Sequence, residues 1–113
     1  MDNTSHLWTL KNATLSDKTA GKEYGITRDE IIDAINAGVL QYREGSMQGY
    51  PWIRLLRAEV ESLVENKYGA AYLKEKKAKK ELSEINKELK SLNIRISELE
   101  ERKRDLLAWV ATH

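Results

Sequence analysis

The last third of the chain carries the pattern that most constrains its fold. Between residues 82 and 110, apolar residues recur at alternating spacings of three and four, with Lys103 as the one interruption. This heptad repeat leaves one face of a long helix apolar until a second helix covers it. We call this face the seam, and its residues are Leu82, Ile85, Leu89, Leu92, Ile96, Leu99, Leu106 and Val110. The seam predicts a coiled coil, and therefore a partner helix.

The charged residues beside the seam predict how the partner helix runs. If two copies pack antiparallel with Leu89 against Leu92 of the second copy, opposite charges meet at every flanking charged pair. These pairs are Glu81 with Arg102, Glu88 with Arg95 and Lys79 with Glu100. A parallel pair would instead place Lys74 against Lys79, where like charges repel. We therefore expect an antiparallel homodimer. A heteromeric coiled coil, or an adaptor helix for another protein, is the alternative.

Composition limits the class of protein. The chain has 113 residues, the usual size of one domain, and it has no cysteine, which excludes disulfides, thiolate metal sites and cysteine nucleophiles. No apolar run approaches the roughly 18 residues of a membrane span, and the N-terminus lacks the apolar stretch of a signal peptide, so we expect a cytoplasmic protein. Residues 70–113 hold 11 basic and 8 acidic residues, and residues 1–69 hold 8 basic and 10 acidic residues. The sequence therefore has no strong overall basic charge.

Capping and turn residues divide the first 69 residues into short elements. Thr14 or Ser16 can cap a first helix, which Gly25 ends, and Thr27 with Glu30 forms the capping box of a second helix. The predicted elements are helices at 16–24 and 27–37, strands at 39–43 and 50–55 around a loop at 44–49, a third helix at 57–68 and a long helix from residue 70. Residues 1–14 are expected to fray, or to form a short strand that lays Trp8 on the body.

This order of helix, glycine turn, helix, hairpin and helix is the layout of a winged helix-turn-helix domain. Three stretches carry a closer likeness, namely residues 16–20 (SDKTA), 24–28 (YGITR) and 34–40 (AINAGVL). They resemble the excisionase and MerR-type winged-helix group, in which such a pattern marks the two helices and the start of the hairpin, called the wing. The resemblance implies a mainly α fold with a small β-hairpin, in three parts. These are an N-terminal segment 1–14, a winged helix-turn-helix domain 15–69 and a coiled-coil dimerisation helix 70–113.

The same resemblance implies a DNA-binding surface. The helix at 27–37 would be the recognition helix, and the wing and the start of the third helix would add contacts. The implied DNA-binding residues are Thr27, Arg28, Arg43, Ser46, Gln48, Arg54 and Arg57. Asp29, Glu30 and Asp33 on the recognition helix oppose this role, because carboxylates near phosphates weaken binding. The basic run at 74–80 either touches flanking phosphates or forms a solvated helix face.

The sequence contains no catalytic constellation, since His6 and His113 lie near the ends without spaced partners and the glycines fit turns and caps. We therefore expect a protein that is not an enzyme and needs no metal or cofactor. The favoured hypothesis is a dimeric, sequence-specific binder of double-stranded DNA, either a small transcriptional regulator or an excisionase-like architectural factor. The alternative is a nonenzymatic protein-interaction adaptor with a repurposed winged-helix domain and an oligomerising coiled coil.

Overall fold

The computed structural model describes residues 5–47 and 50–113. The chain is mainly helical, with a small antiparallel sheet and a long C-terminal helix, which confirms the predicted fold class at this level. The elements in chain order are a 3-10 helix Ser5–Thr9, β1 Thr14–Ser16, α1 Asp17–Tyr24, α2 Arg28–Asn36, β2 Tyr42–Met47, β3 Tyr50–Leu56, α3 Arg57–Tyr68 and α4 Ala70–Thr112.

The predicted caps of the first two helices are confirmed. The Ser16 hydroxyl accepts a hydrogen bond from the backbone N–H of Thr19 at 3.1 Å, at the start of α1. Gly25 ends that helix in the left-handed conformation, with a φ of 73°. Thr27 and Glu30 form the complete capping box of α2, with both side chain-to-backbone bonds at 3.1 Å. Local chemistry therefore fixes the turn between the two helices.

The first strand of the hairpin lies later in the chain than predicted. It begins at Tyr42 rather than at residue 39. The backbone N–H groups of Val39 and Leu40 instead donate to the carbonyl oxygen of Ala34, at 2.9 and 3.2 Å. These two residues therefore complete the C-terminal turn of α2, as a glycine-terminated helix requires for its last carbonyls.

β2 also continues through Gly45, where the sequence predicted a loop. Gly45 pairs with Trp52 of β3, and a Cβ on Gly45 would lie 2.6 Å from the Trp52 ring. The indole ring therefore covers the glycine, and only a residue without a side chain fits beneath it. Glycine in a strand often marks such a close approach.

β3 is the middle strand of the sheet, with β1 and β2 on its two sides. One face of the sheet packs with α1, α2 and α3 around a single buried cluster, and Tyr72 and Leu73 of α4 pack against that cluster. Its members are Leu15, Ala20, Tyr24, Ile26, Ile31, Ala34, Leu40, Leu55, Val60 and Val64. A first compact unit, which we call the head, ends at Ala78, and a second unit runs from Lys79 to His113. The first turns of α4 therefore belong to the head.

Candidate nucleic-acid interface

The N-terminal turn of α2 presents Thr27 and Arg28 to solvent. The Arg28 side chain is 69% exposed, and its guanidinium lies 3.4 Å from the carboxylate of Asp17 in the first turn of α1. An exposed ion pair of this length contributes little, because solvent screens it. Arg28 can therefore exchange this partner for another anion.

The two hairpin arginines lie directly opposite each other. Arg43 of β2 pairs with Arg54 of β3 in an antiparallel register, so both side chains leave the same face of the sheet. The Arg54 Nε donates a hydrogen bond to the Thr14 hydroxyl at 3.0 Å. The Arg43 guanidinium lies over the ring of Trp8, 4.6 Å from its centroid. Trp8 is buried, as expected of a tryptophan laid on the body, but it lies in the 3-10 helix rather than in a strand.

We refer to the two facing arginines of the hairpin and the exposed arginine of α2, namely Arg43, Arg54 and Arg28, as the arginine row. Arg54 faces Arg43 on one side and Ser16 of β1 on the other. Ser16 immediately precedes Asp17, the partner of Arg28. Facing Cα atoms in an antiparallel pair are about 4.5–5.5 Å apart, so Arg54 is a close neighbour of both Arg43 and Ser16. The described strand residues on the face of Arg43 and Arg54 include no carboxylate.

Arg57, for which a phosphate contact is predicted, makes hydrogen bonds within the head. Its guanidinium donates to the Glu23 carboxylate at 2.6 Å, to the Tyr24 hydroxyl at 2.9 Å and to the carbonyl oxygen of Asn12 at 2.9 Å. Burial lowers the pKa of Arg57, but its bonds with Glu23 and Tyr24 outweigh burial and raise it. Arg57 therefore binds the segment before β1 to α1 within the head.

Two further predicted contacts lie at the tip of the hairpin. Gln48 lies outside the described residues. The backbone of Ser46 pairs with Pro51 near the end of β2.

The acidic residues of α2 are not equivalent. The Glu30 carboxylate accepts hydrogen bonds from Lys67 at 2.7 Å and from the Tyr68 hydroxyl at 2.5 Å, besides its capping bond. The bonds from Lys67, from Tyr68 and from the Thr27 backbone lower the pKa of Glu30 to about 2. Glu30 raises the pKa of Lys67 in return, and the charge of Asp33 adds a smaller contribution. α3 thus places the Lys67 ammonium group beside the Glu30 carboxylate and near that of Asp33, two of the acidic residues that oppose DNA binding.

A hydrogen-bonded cluster inside the head was missing from the sequence prediction. The Tyr24 hydroxyl donates to Glu61 at 2.7 Å and accepts from Arg57. Burial is the main reason that the pKa of Tyr24 is raised. These partners are more than 30 positions apart in the chain, so no local pattern indicates them.

A second clamp ties the turn after α2 to the start of α3. The Glu59 carboxylate accepts from the backbone N–H of Gln41 and from its side-chain amide, both at 2.8 Å. Glu59 also lies in the first turn of α3, where the helix dipole favours a negative charge. The clamp holds the chain that leads from α2 into the hairpin.

The seam of α4 is exposed along its whole length. Its eight residues range from 43% exposed at Ile85 to 64% at Val110. Leu107 and Trp109 beside it are equally exposed, at 60% and 59%. Exposed apolar stripes of this extent are typical of interaction surfaces.

The described part of the chain contains no group of three or more His, Asp or Glu side chains placed to hold a metal ion. Within the same residues, no helix combines the length and the apolar character that crossing a bilayer requires. Compared with known proteins, the chain matches no family model, no curated protein and no solved structure. The functional argument therefore depends on the geometry of the head and of the seam.

Proposed function

We propose that the chain is a dimeric, sequence-specific DNA-binding protein. Its head binds double-stranded DNA with the first turn of α2 in the major groove and with the β2–β3 hairpin as a wing against the adjoining backbone. The observation that carries this proposal is the arginine row of Arg28, Arg43 and Arg54. The order of α1, glycine turn, α2, hairpin and α3 within one compact unit supports the winged helix-turn-helix assignment.

The hairpin part of the arginine row carries two like charges that face each other, Arg43 and Arg54. Like charges directly opposite each other in a sheet are destabilising, and the face that holds Arg43 and Arg54 offers no carboxylate among its described strand residues. A phosphodiester backbone supplies negative charge at regular intervals. Guanidinium groups bind phosphate oxygens with two parallel hydrogen bonds, so a row of arginines fits such a ligand.

The proposal assigns different roles within the row. Arg43 and Arg54 project from paired strands and would hold phosphates, which positions the head on the duplex. Arg28 is the first residue of α2 and would reach base edges, where arginine recognises the O6 and N7 atoms of guanine. Sequence preference would then come mainly from α2, and affinity mainly from the hairpin.

The exposed seam supports the dimeric part of the proposal. An antiparallel second copy would cover it with apolar side chains and would bring Glu81 and Glu88 opposite Arg102 and Arg95 of that copy. Each dimer would then carry two heads. Dimeric helix-turn-helix proteins use two heads to bind two half-sites.

A salt titration tests the function. Binding of the full chain to a labelled mixed-sequence duplex, followed by fluorescence anisotropy, should weaken linearly in log K against log salt concentration. Arg43→Ala should make the slope less steep by about 0.9, because one phosphate contact is lost. Arg28→Ala should instead relax the preference for a selected sequence over a random one.

Arg104→Ala is the matched control, since it removes one arginine from α4 and leaves the head unchanged. It should bind like the unmodified chain. The absence of any binding at low salt would refute the proposal and favour the protein-interaction adaptor.

A further inference from the structure

Lys76 is held at the turn between α1 and α2. Its ammonium nitrogen lies 5.2 Å from the centroid of the Tyr72 ring, one helical turn earlier in α4. The same nitrogen lies 3.5 Å from the position that a Cβ on Gly25 would occupy. Tyr72 is itself fixed, because its hydroxyl donates to the carbonyl oxygen of Tyr24 at 2.8 Å. The lysine charge is therefore placed over the glycine turn rather than left free in solvent.

Neighbouring lysines of the head are engaged with carboxylates. Lys77 lies 3.7 Å from Glu61, and Lys67 lies 2.7 Å from Glu30. For Lys76 the structure shows a different kind of partner, the face of an aromatic ring. A cation–π contact restricts the ammonium group without neutralising its charge, so the charge is available to an external anion.

We infer that Lys76 contacts a phosphate of bound DNA beside the N-terminus of α2, with Tyr72 as its positioning residue. The inference rests on the proposed function and adds a contact from outside the helix-turn-helix and the wing. Gly25 ends α1 three residues before α2 begins at Arg28, so the Lys76 ammonium group lies beside the turn that leads into α2.

This inference separates Lys76 from the rest of the basic run at 74–80. Residues two positions apart on a helix are rotated by about 200°, so Lys74 leaves the opposite side of α4 from Lys76. The sequence alone does not distinguish the two lysines. The contacts of Lys76 with Tyr72 and Gly25 do so.

The test compares Lys76→Gln with Lys74→Gln, which makes the same change of charge on the other side of the helix. Both are measured by salt titration against a mixed-sequence duplex and against a selected one. Lys76→Gln should make the slope of log K against log salt less steep by about 0.9. It should also weaken binding by a similar factor on both duplexes, because a phosphate contact carries no base information. Lys74→Gln should keep the slope of the unmodified chain.

Two variants of Tyr72 test the positioning role. Tyr72→Phe keeps the ring over which the ammonium lies and should keep the slope. Tyr72→Leu removes the ring and should bring the slope towards that of Lys76→Gln, while circular dichroism shows that the head remains folded. If Tyr72→Leu does not fold, the comparison between Lys76→Gln and Lys74→Gln decides the inference.

The outcomes separate this inference from the proposed function. If the unmodified chain binds DNA and Lys76→Gln has the same slope as Lys74→Gln, the phosphate contact of Lys76 is refuted and the proposed function stands. If the unmodified chain does not bind DNA at low salt, the proposed function itself fails.

Discussion

The hydroxyl of Tyr72 donates a hydrogen bond to the carbonyl oxygen of Tyr24, 2.8 Å away. This bond joins the first turns of α4 to the last residue of α1. The neighbouring Tyr68 ring lies 4.8 Å from the Tyr72 ring, and its hydroxyl donates to Glu30 of α2. The junction of α3 and α4 therefore contacts both α1 and α2, on either side of Gly25.

Gly25→Ala should destabilise the head more than Gly38→Ala. Both glycines have a positive φ, 73° and 78°, which costs an alanine about 1–2 kcal/mol. A Cβ on Gly25 would also lie 2.6 Å from the Tyr72 hydroxyl, whereas a Cβ on Gly38 would meet no atom within 4 Å. The free energy of unfolding in urea should fall by about 1–2 kcal/mol for Gly38→Ala and by more for Gly25→Ala.

The variant Tyr72→Phe provides the control for this comparison. Added to Gly25→Ala, it removes the hydroxyl that the new methyl group would meet. The loss in the free energy of unfolding caused by Gly25→Ala should therefore come closer to the loss caused by Gly38→Ala. Equal losses for Gly25→Ala and Gly38→Ala would show that the Tyr72 contact does not constrain residue 25.

The predicted role of Arg57 can be separated from the role that the structure gives it. Arg57→Met would remove the hydrogen bonds that Arg57 donates to Glu23, to the Tyr24 hydroxyl and to the Asn12 carbonyl. Its side chain is 20% exposed, so we expect a loss of about 2–3 kcal/mol in the free energy of unfolding, below the range for a fully buried pair. Arg28→Met should change the stability by less than about 0.5 kcal/mol, because its ion pair is exposed.

The same two variants should rank in the opposite order when their effects on DNA affinity are compared. Arg28→Met should reduce it, and Arg57→Met should leave it unchanged at temperatures where the head stays folded. Weakened binding by a fully folded Arg57→Met variant would instead support the predicted phosphate contact of Arg57.

The carboxylate of Glu30 should make stability depend on pH in the acid range. Its pKa is lowered to about 2 in the folded chain, chiefly by the hydrogen bond from Lys67, whereas the ordinary value is 4.5. The unfolded chain therefore binds a proton first as the pH falls, and the stabilisation is complete above about pH 4.5 and lost towards pH 2. Glu30→Gln should cost about 1 kcal/mol at neutral pH, from the weakened bond to Lys67.

The pH series distinguishes this effect from general acid unfolding. The stability gap between the unmodified chain and Glu30→Gln should close as the pH falls from about 4.5 towards 2. Glu65→Gln, on the exposed side of α3, should show no comparable gap. A gap of constant size down to pH 2 would contradict the assignment.

The sequence predicted the elements whose determinants are local. Ser16, Gly25 and the Thr27–Glu30 box act within four residues of themselves, and the helix limits that they imply are confirmed. The limits of β2 were wrong because its start depends on the hydrogen bonds of Val39 and Leu40 to Ala34, and its end depends on pairing with β3. Gly45 pairs with Trp52 of β3, and the Trp52 ring lies against it.

The residues of the candidate site also differ in whether local sequence determines their surroundings. The exposure of Arg28 follows from its place in the first turn of a capped helix. The contacts of Arg57 do not follow from its place at the start of a helix. Its partners are Asn12, Glu23 and Tyr24, which are at least 33 positions away in the chain. An arginine at the start of a helix looks the same in the sequence whether it binds a phosphate or a carboxylate of its own chain.

The antiparallel register of the seam predicts the effect of reversing charges beside it. Glu81→Arg with Glu88→Arg would place like charges at four contacts in each dimer, opposite Arg95 and Arg102 of the second copy. At roughly 0.5–1 kcal/mol for each contact, the dimer should weaken by about 2 kcal/mol or more, some thirtyfold in its dissociation constant. Sedimentation equilibrium measures this constant directly.

Two further variants make the test of orientation specific. Adding Arg95→Glu and Arg102→Glu to the double variant restores an opposite pair at each contact, so dimerisation should recover. Glu84→Arg with Glu101→Arg makes the same change of charge at outward positions of the heptad and should leave the dimer intact. A dimer that is indifferent to all of these changes would refute the antiparallel register. Recovery by the fourfold variant would support it, because a parallel pair brings none of these glutamates opposite these arginines.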